Sequence, residues 1–271
     1  MIDQFRVRPG DMANLDAREP SSTDGAPGDA DKTRSALAEL TERLAGLQDR
    51  LWAEGRRSLL VVLQGIDTSG KDEAIRSLFA RLNPQGLRVE TFRVPSADEL
   101  RHDFLWRVHA HTPGAGEIAV FNRSHYEDVL SVRVHGLVPA HVYQARYEHI
   151  NCFERLLAHS GTRVVKLFFH LSAGEQLHRL ESRLDEPEKR WRLDHSDLDG
   201  ARLYDKYRLA ATDMIERTST DQAPWFIIPA DHRWYRDWAA AEVLVKVLRD
   251  IDPRYPPSPA LPERGRRQTV R

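Results

Sequence analysis

Ser58-Leu59-Leu60-Val61-Val62-Leu63-Gln64 runs into Gly65-Ile66-Asp67-Thr68-Ser69-Gly70-Lys71-Asp72 and then into Glu73-Ala74-Ile75-Arg76. The apolar run has the length of one buried strand, the glycines mark a tight turn, and the last stretch opens a helix with a lysine on its first turn. This is the layout of a phosphate-binding loop, in which backbone N–H groups and a helix N-terminus face an anion. The glycine-lysine element stands between a strand and a helix, as that mechanism requires. Gly65, Ser69, Gly70 and Lys71 are therefore candidate phosphate contacts.

Two acids in this loop call for explanation. Asp72 occupies the position after the lysine, where Ser or Thr normally serves as a magnesium ligand, and Asp67 lies inside the loop. A bare carboxylate about 4 Å from a phosphate charge costs about 1 kcal/mol in water and several times that at a protein surface. A cation between them removes the cost, so Asp67 is read as a Mg²⁺ ligand, direct or through water. Asp72 has two readings of equal weight. One is a metal- or phosphate-side role; the other is a first-turn acid stabilised by the helix dipole.

The chain of 271 residues suits one sizeable α/β domain, and 41% hydrophobic with 30% charged residues fits a soluble globular protein. Forty Lys and Arg against 41 Asp and Glu leave a formal net charge of −1. No global field advertises a nucleic acid, so any polyanion site must be a local cluster. The single cysteine, Cys152, cannot form an intramolecular disulfide; burial in a helical pattern and a reducing compartment are expected. No apolar run approaches the roughly 20 residues of a membrane span, and no signal-peptide layout opens the chain. A cytoplasmic protein is expected.

Residues 10 to 33, rich in Gly, Pro, Ser and Asp, read as a partly disordered leader spanning 1–33. Leu37, Leu40, Leu44, Leu47, Leu51 and Trp52 recur at helical spacing and give an amphipathic helix to about Glu54. Strands are expected at 58–64, 87–94, 117–122, 163–171 and 225–229. Helices are expected after the loop to Asn83-Pro84 and at 98–110, 124–131, 139–158, 173–184, 197–217 and 236–250. The alternation predicts a three-layer α/β sandwich, a parallel sheet with helices on both faces, over residues 34–252. The tail at 253–271, proline-rich and basic, reads as disordered.

Ligands of such sheets bind at the carboxyl ends of the strands. The strand ending at Phe121 runs into Asn122-Arg123-Ser124-His125-Tyr126-Glu127-Asp128. Asp128 or Glu127 is the candidate second metal carboxylate, and Arg123 and Arg133 could meet phosphate oxygens bidentately. A salt-bridged helix start is the plainer alternative. Arg179 and Arg183 share a helix face, and a segment with Lys189 and Arg190 follows a helix-breaking Pro187. A basic lid over 179–200 would close on phosphates and exclude water; the bland alternative is a solvated charge run.

Taken together, the loop, Phe121 to Leu130 and Arg133-Val134-His135 closely resemble the polyphosphate kinase 2 family. The similarity runs from Phe5-Arg6-Val7 through His102-Asp103-Phe104-Leu105-Trp106-Arg107 to Pro229-Ala230-Asp231 and Trp234-Tyr235-Arg236. It is strongest for the one-domain branch of polyphosphate:nucleotide phosphotransferases. The resemblance implies a P-loop kinase fold that moves a phosphoryl group between inorganic polyphosphate and AMP or ADP, or GMP or GDP, and assembly as a dimer or tetramer. It implies Asp67 and Asp128 as Mg²⁺ and phosphate-positioning acids, Lys71 in the loop, and Arg123, Arg133 and Arg183 as phosphate contacts. Glu73-Ala74 departs from the family's usual continuation with Gly-Thr or Gly-Gly, which bears on donor affinity. Two other readings compete: an ATP-dependent nucleotide kinase, and a non-catalytic module that binds nucleotide or polyphosphate to regulate a partner.

Overall fold

A computed structural model describes residues 2–186 and 202–258. Among the described residues six strands form one sheet: β1 Arg6–Val7, β2 Ser58–Gln64, β3 Leu87–Thr91, β4 Ile118–Asn122, β5 Thr162–His170 and β6 Trp225–Pro229, in spatial order β1-β6-β5-β2-β4-β3. All pairings are parallel except β1 with β6. The helices are α1 Ala30–Glu54, α2 Lys71–Phe79, α3 Trp106–His109, α4 Ser131–Val134, α5 Ala140–His159, α6 Ala173–Asp185, α7 Tyr204–Thr218 and α8 Arg233–Ile251. The expected three-layer α/β architecture is present.

Every residue of β2 and β4 is buried, which explains why both read as continuous apolar runs rather than alternating ones. The alternation appears instead in which layer each side chain joins. Leu59, Val61 and Leu63 pack beneath α1, α2 and α8, whereas Leu60 and Val62 face α5 and α7. Each such side chain contributes about 1.5–3 kcal/mol by leaving water. α1 is started by Asp29, whose side chain accepts from the Lys32 N–H, and it lies along α8.

The chain passes from β2 out to β3, returns to β4 beside β2, and then crosses to β5 on the other flank. Connections thus diverge on either side of β2, and a crevice opens at its carboxyl end. That is where the glycine-rich loop sits.

Several expected elements take a different form. The 98–110 helix is reduced to a 3₁₀ turn at Glu99–Arg101 and the short α3. Between them the Asp103 side chain accepts from the Leu105 N–H at 2.9 Å, a local turn that competes with helix. The 124–131 helix is a 3₁₀ turn, His125–Asp128, followed by α4, and Ser124 caps it by accepting from the Tyr126 N–H. The leader is not a loose tail. β1 pairs with β6, Ala13 and Leu15 are buried, and the Leu15 and Arg18 carbonyls meet His170. Its polar composition hid these few anchoring side chains.

Cys152 is exposed, contrary to expectation. The buried positions of α5 are Tyr147, Ile150, Phe153, Glu154 and Leu157, and Cys152 falls outside that stripe, beside Arg155. α7 begins at Tyr204; the first part of its expected span lies outside the described residues, as do Lys189, Arg190, most of the expected lid and the tail from residue 259. Before that point Tyr255 donates to Asp49 at 2.6 Å.

Candidate active site

The loop between β2 and α2 requires glycine at both ends. Gly65 has φ 151°, and a Cβ there would lie 2.7 Å from Ser69 Oγ and 2.8 Å from the Phe169 carbonyl. Gly70 has φ 90°, and its Cβ would fall 1.6 Å from Arg236 Nη1, an impossible separation. Thr68 and Arg123, at φ 67° and 59°, adopt the same left-handed region without being glycine. Such conformations cost about 1–3 kcal/mol each and persist where surrounding structure imposes them. Of the four such non-glycine residues among the described ones, two lie at this site; Asn14 and Asp252 lie elsewhere.

Lys71 folds over the loop. Its ammonium donates to the Gly65 carbonyl at 2.8 Å, to Ile66 at 3.2 Å and to Ser69 Oγ at 3.4 Å. Burial, and next the Arg123 charge, pull its pKa down to about 8, while Asp67, Glu127 and Asp72 oppose the shift. Those five charged groups therefore share one small region. Arg123 reaches from the end of β4 to form an ion pair with Asp67. Asp72, on the first turn of α2, accepts from Asn122 Nδ2 and ties that helix to β4.

Asp128 and Glu127 point to different neighbours. Asp128 is buried and meets Arg146 of α5, whose Nη1 donates to its carboxylate at 3.1 Å and its carbonyl at 2.9 Å. Burial raises the Asp128 pKa, with Arg146 and then Arg107 opposing. Glu127 is half-buried, and its charge acts on both Lys71 and Tyr207.

Beneath this turn lies a fully buried polar cluster. Lys166 of β5 donates to Glu154 at 2.6 Å, to Tyr126 Oη at 2.8 Å and to the Thr218 carbonyl at 2.7 Å, while the Tyr126 hydroxyl donates to Glu154 at 2.7 Å. Burial alone would raise the Glu154 pKa, but Lys166 and His125 hold it below the ordinary glutamate value. The cluster fixes Tyr126, and so the backbone that presents Glu127 and Asp128.

The remaining candidates are distributed differently. Arg133 pairs with Asp213 of α7 and lies over the Tyr143 ring at 5.6 Å. His135, the residue that caps α4, meets Tyr207 Oη at 2.9 Å, so α4 and its cap hold α7 at two points. Burial, with Glu127 and Asp67 adding to it, pushes the Tyr207 hydroxyl up to about 12. Arg179 is buried and donates to the carbonyls of Thr68, Ala230 and Asp231 and to Glu175. Arg183 stands one turn further along α6, half-buried. Arg236, Arg146, Gln176 and Tyr207 escaped the sequence reading. Arg236 was visible only as part of a signature, and the other three carry no local pattern. A separate open cavity of about 600 Å³, lined by Leu105, Trp106, His109, His149, Cys152 and Phe153 among others, contains none of the candidate site residues.

The family model described as polyphosphate kinase 2 matches residues 28–256. The chain belongs to the polyphosphate kinase 2 family. It is 48% identical over 255 residues to the AMP/ADP-polyphosphate phosphotransferase of Meiothermus ruber, covering 94% of this chain and 96% of that relative. It is 37% identical over 265 residues to the ADP-polyphosphate phosphotransferase of Rhodopseudomonas palustris, covering 93% and 91%. Among solved structures it is similar to polyphosphate kinase 2 from Arthrobacter aurescens TC1, with a TM-score of 0.91, 38% identity and coverage of 94% and 91%. The chain therefore has the fold of a polyphosphate kinase 2.

Among the described residues no group of three or more His, Cys, Asp or Glu is suited to hold a metal. Asp67 and Asp128 each lie beyond one of two adjacent strands, β2 and β4, where Asp67 is paired with Arg123 and Asp128 with Arg146. A hard divalent ion there would take one or two carboxylates and complete its shell with water and phosphate oxygens. Among the described residues no helix is long and apolar enough to cross a membrane.

Proposed function

We propose that this protein transfers a phosphoryl group between inorganic polyphosphate and AMP or ADP, in a Mg²⁺-dependent reaction. The observation that carries the reading is the convergence of Lys71, Asp67, Arg123 and Glu127 at a phosphate loop. The relatives named above as AMP/ADP- and ADP-polyphosphate phosphotransferases support it. GMP and GDP belong to the same proposal as further acceptors.

Phosphoryl transfer asks the protein for positioning and charge neutralisation more than for covalent chemistry. The loop N–H groups would cradle the donor's terminal phosphates. The Lys71 ammonium would leave the Gly65 and Ile66 carbonyls for phosphate oxygens, and Arg123 would exchange Asp67 for the transferred group. Arg183 would extend the cationic track along the chain of phosphates, and Lys189 and Arg190, outside the described residues, belong to the same proposal as phosphate contacts. Asp67 and Asp128 would hold Mg²⁺, with Glu127 as the neighbouring carboxylate. When bound, the ion supplies neutralising charge between donor and acceptor phosphates. The acceptor's terminal phosphate is already largely ionised near neutral pH, so no strong base is needed.

Assembly as a dimer or tetramer is part of the proposal, testable by sedimentation. Nucleotide substrates and a single cysteine support a cytoplasmic setting. The deciding assay supplies long-chain polyphosphate, Mg²⁺ and AMP, ADP, GMP or GDP in turn, with no ATP, and measures each product. Conversion of AMP or ADP is expected. Strict dependence on ATP would overturn the donor assignment.

A further inference from the structure

Five consecutive carbonyls of the phosphate loop accept a hydrogen bond from a side chain. Lys71 donates to Gly65 and Ile66. Gln176 of α6 donates to Asp67 at 3.5 Å, Arg179 of α6 to Thr68 at 3.0 Å, and Arg236 of α8 to Ser69 at 3.1 Å. The last three donors are almost wholly buried, with exposures of 1%, 4% and 0%.

A trans peptide unit is planar, with its C=O and N–H directed oppositely. Anchoring the Asp67 and Ser69 carbonyls on buried donors therefore aims the N–H groups of Thr68 and Gly70 the other way, into the crevice. Anchoring Thr68 has a different consequence: the following N–H, that of Ser69, closes the turn onto the Ile66 carbonyl at 3.1 Å. The same guanidinium of Arg179 also holds the carbonyls of Ala230 and Asp231 at 2.8 Å, beyond β6. Arg236 is braced by Asp237 and lies over the Phe169 ring. The loop is thereby fixed to two helices and to the ends of β5 and β6. The closeness of Arg236 Nη1 to Gly70 gives that glycine a second purpose besides its backbone angle.

We propose that Gln176, Arg179 and Arg236 are positioning residues, which never touch substrate but hold the loop in the one conformation whose N–H groups converge on phosphate. This rests on the phosphate-transfer reading above and reassigns Arg179, whose donors face protein backbone, from phosphate contact to loop anchor. The lysine is different: Lys71 can release its carbonyls when a phosphate arrives, whereas the three deeper donors cannot follow it out.

The test measures binding of inorganic tripolyphosphate with Mg²⁺ by calorimetry, thermal unfolding, and KM and kcat for polyphosphate and nucleotide. It compares Arg179→Met, Arg236→Met, Arg179→Lys, Arg236→Lys and Gln176→Leu with wild type. The two Met variants are expected to bind tripolyphosphate roughly tenfold or more weakly, the range for losing a charge-assisted hydrogen bond. Gln176→Leu, a near-isosteric change that should fold, is expected to weaken it about two- to fivefold, as for a neutral bond. KM for polyphosphate should rise while KM for nucleotide holds. The Lys variants should recover part of the loss; complete recovery would mean that charge alone matters and would overturn the role. Should the Met variants fail to fold, Gln176→Leu and the Lys variants decide. Folded variants that match wild-type binding would overturn this inference alone. Wild-type protein that bound no tripolyphosphate would overturn the functional reading with it.

Discussion

Asp67 and Arg123 form an ion pair across the carboxyl ends of β2 and β4, with the aspartate the more enclosed partner at 18% exposure against 41% for the arginine. In the absence of ligand each group satisfies the other's charge. A bound phosphate and its cation would compete for both, so the pair must exchange partners for substrate to enter. Arg123→Gln should then have opposite effects on two measurements. Turnover is expected to fall at least about tenfold, from loss of a charge-assisted contact. Affinity for Mg²⁺ alone, titrated without nucleotide, is expected to rise several-fold because Asp67 loses its competitor. Unchanged metal affinity would show that the pair does not guard the carboxylate.

Lys71 gives the site a specific pH dependence. Its pKa of about 8 in the free protein lies below the ordinary lysine value because of burial and Arg123. The ammonium is thus disfavoured by folding: the stability penalty is fully present below pH 8 and is relieved as pH rises from there toward the normal lysine range. Function runs the other way, since the charged form is the one that meets phosphate. Because kcat/KM reports the free enzyme, its profile for polyphosphate should decline above about pH 8. Lys71→Arg should flatten that alkaline limb even if the overall rate is lower. A limb that stayed in place in Lys71→Arg would assign it to another group.

The buried cluster predicts a stability effect with a catalytic echo. Removing Glu154 as Glu154→Ala would leave Lys166 charged and unpaired in the interior, a change worth about 3–5 kcal/mol. Replacing both, as Glu154→Leu with Lys166→Met, should be far milder, because no orphan charge remains. Tyr126→Phe deletes only one member and should cost about 1–3 kcal/mol. In the folded fraction it should also slow turnover by loosening the Glu127–Asp128 backbone. Chemical denaturation of the three variants gives the ordering. A double variant no more stable than Glu154→Ala would contradict it.

How much of this was legible in the sequence follows from the physics of each part. β2 and the loop could be read because both signals are local: an apolar run and a glycine-lysine turn adjoin in the chain. Arg236 could not, since its contact with the Ser69 carbonyl spans 167 positions and depends on how α8 docks. Arg179 was read as a phosphate contact, whereas its donors meet Glu175 and the carbonyls of Thr68, Ala230 and Asp231; spacing on a helix face shows that two arginines share it and not what lies opposite. Lys166 interrupts an apolar strand, and only the fold reveals that Glu154 and Tyr126 receive it. β1 was missed because its two residues gain their strand geometry from pairing with β6 rather than from any pattern of their own.

Gly70 and Gly46 form a matched contrast. A methyl group at Gly70 would overlap Arg236 Nη1, at 1.6 Å, on a backbone with φ 90°. Neither partner can yield: Arg236 is buried and braced by Asp237 and Ser69, and a left-handed backbone disfavours any Cβ. Gly70→Ala should therefore displace the loop, abolish measurable phosphoryl transfer and lower the melting temperature. Gly46 lies exposed on α1, and a Cβ there meets nothing within 4 Å. Gly46→Ala should stabilise by about 0.5–1 kcal/mol through lower chain entropy in the unfolded state and better helix propensity, with unaltered kinetics. Differential scanning calorimetry alongside the polyphosphate assay checks both. An active Gly70→Ala protein would mean that the Arg236 contact can be given up without disturbing the N–H groups, which the packed geometry around that guanidinium argues against.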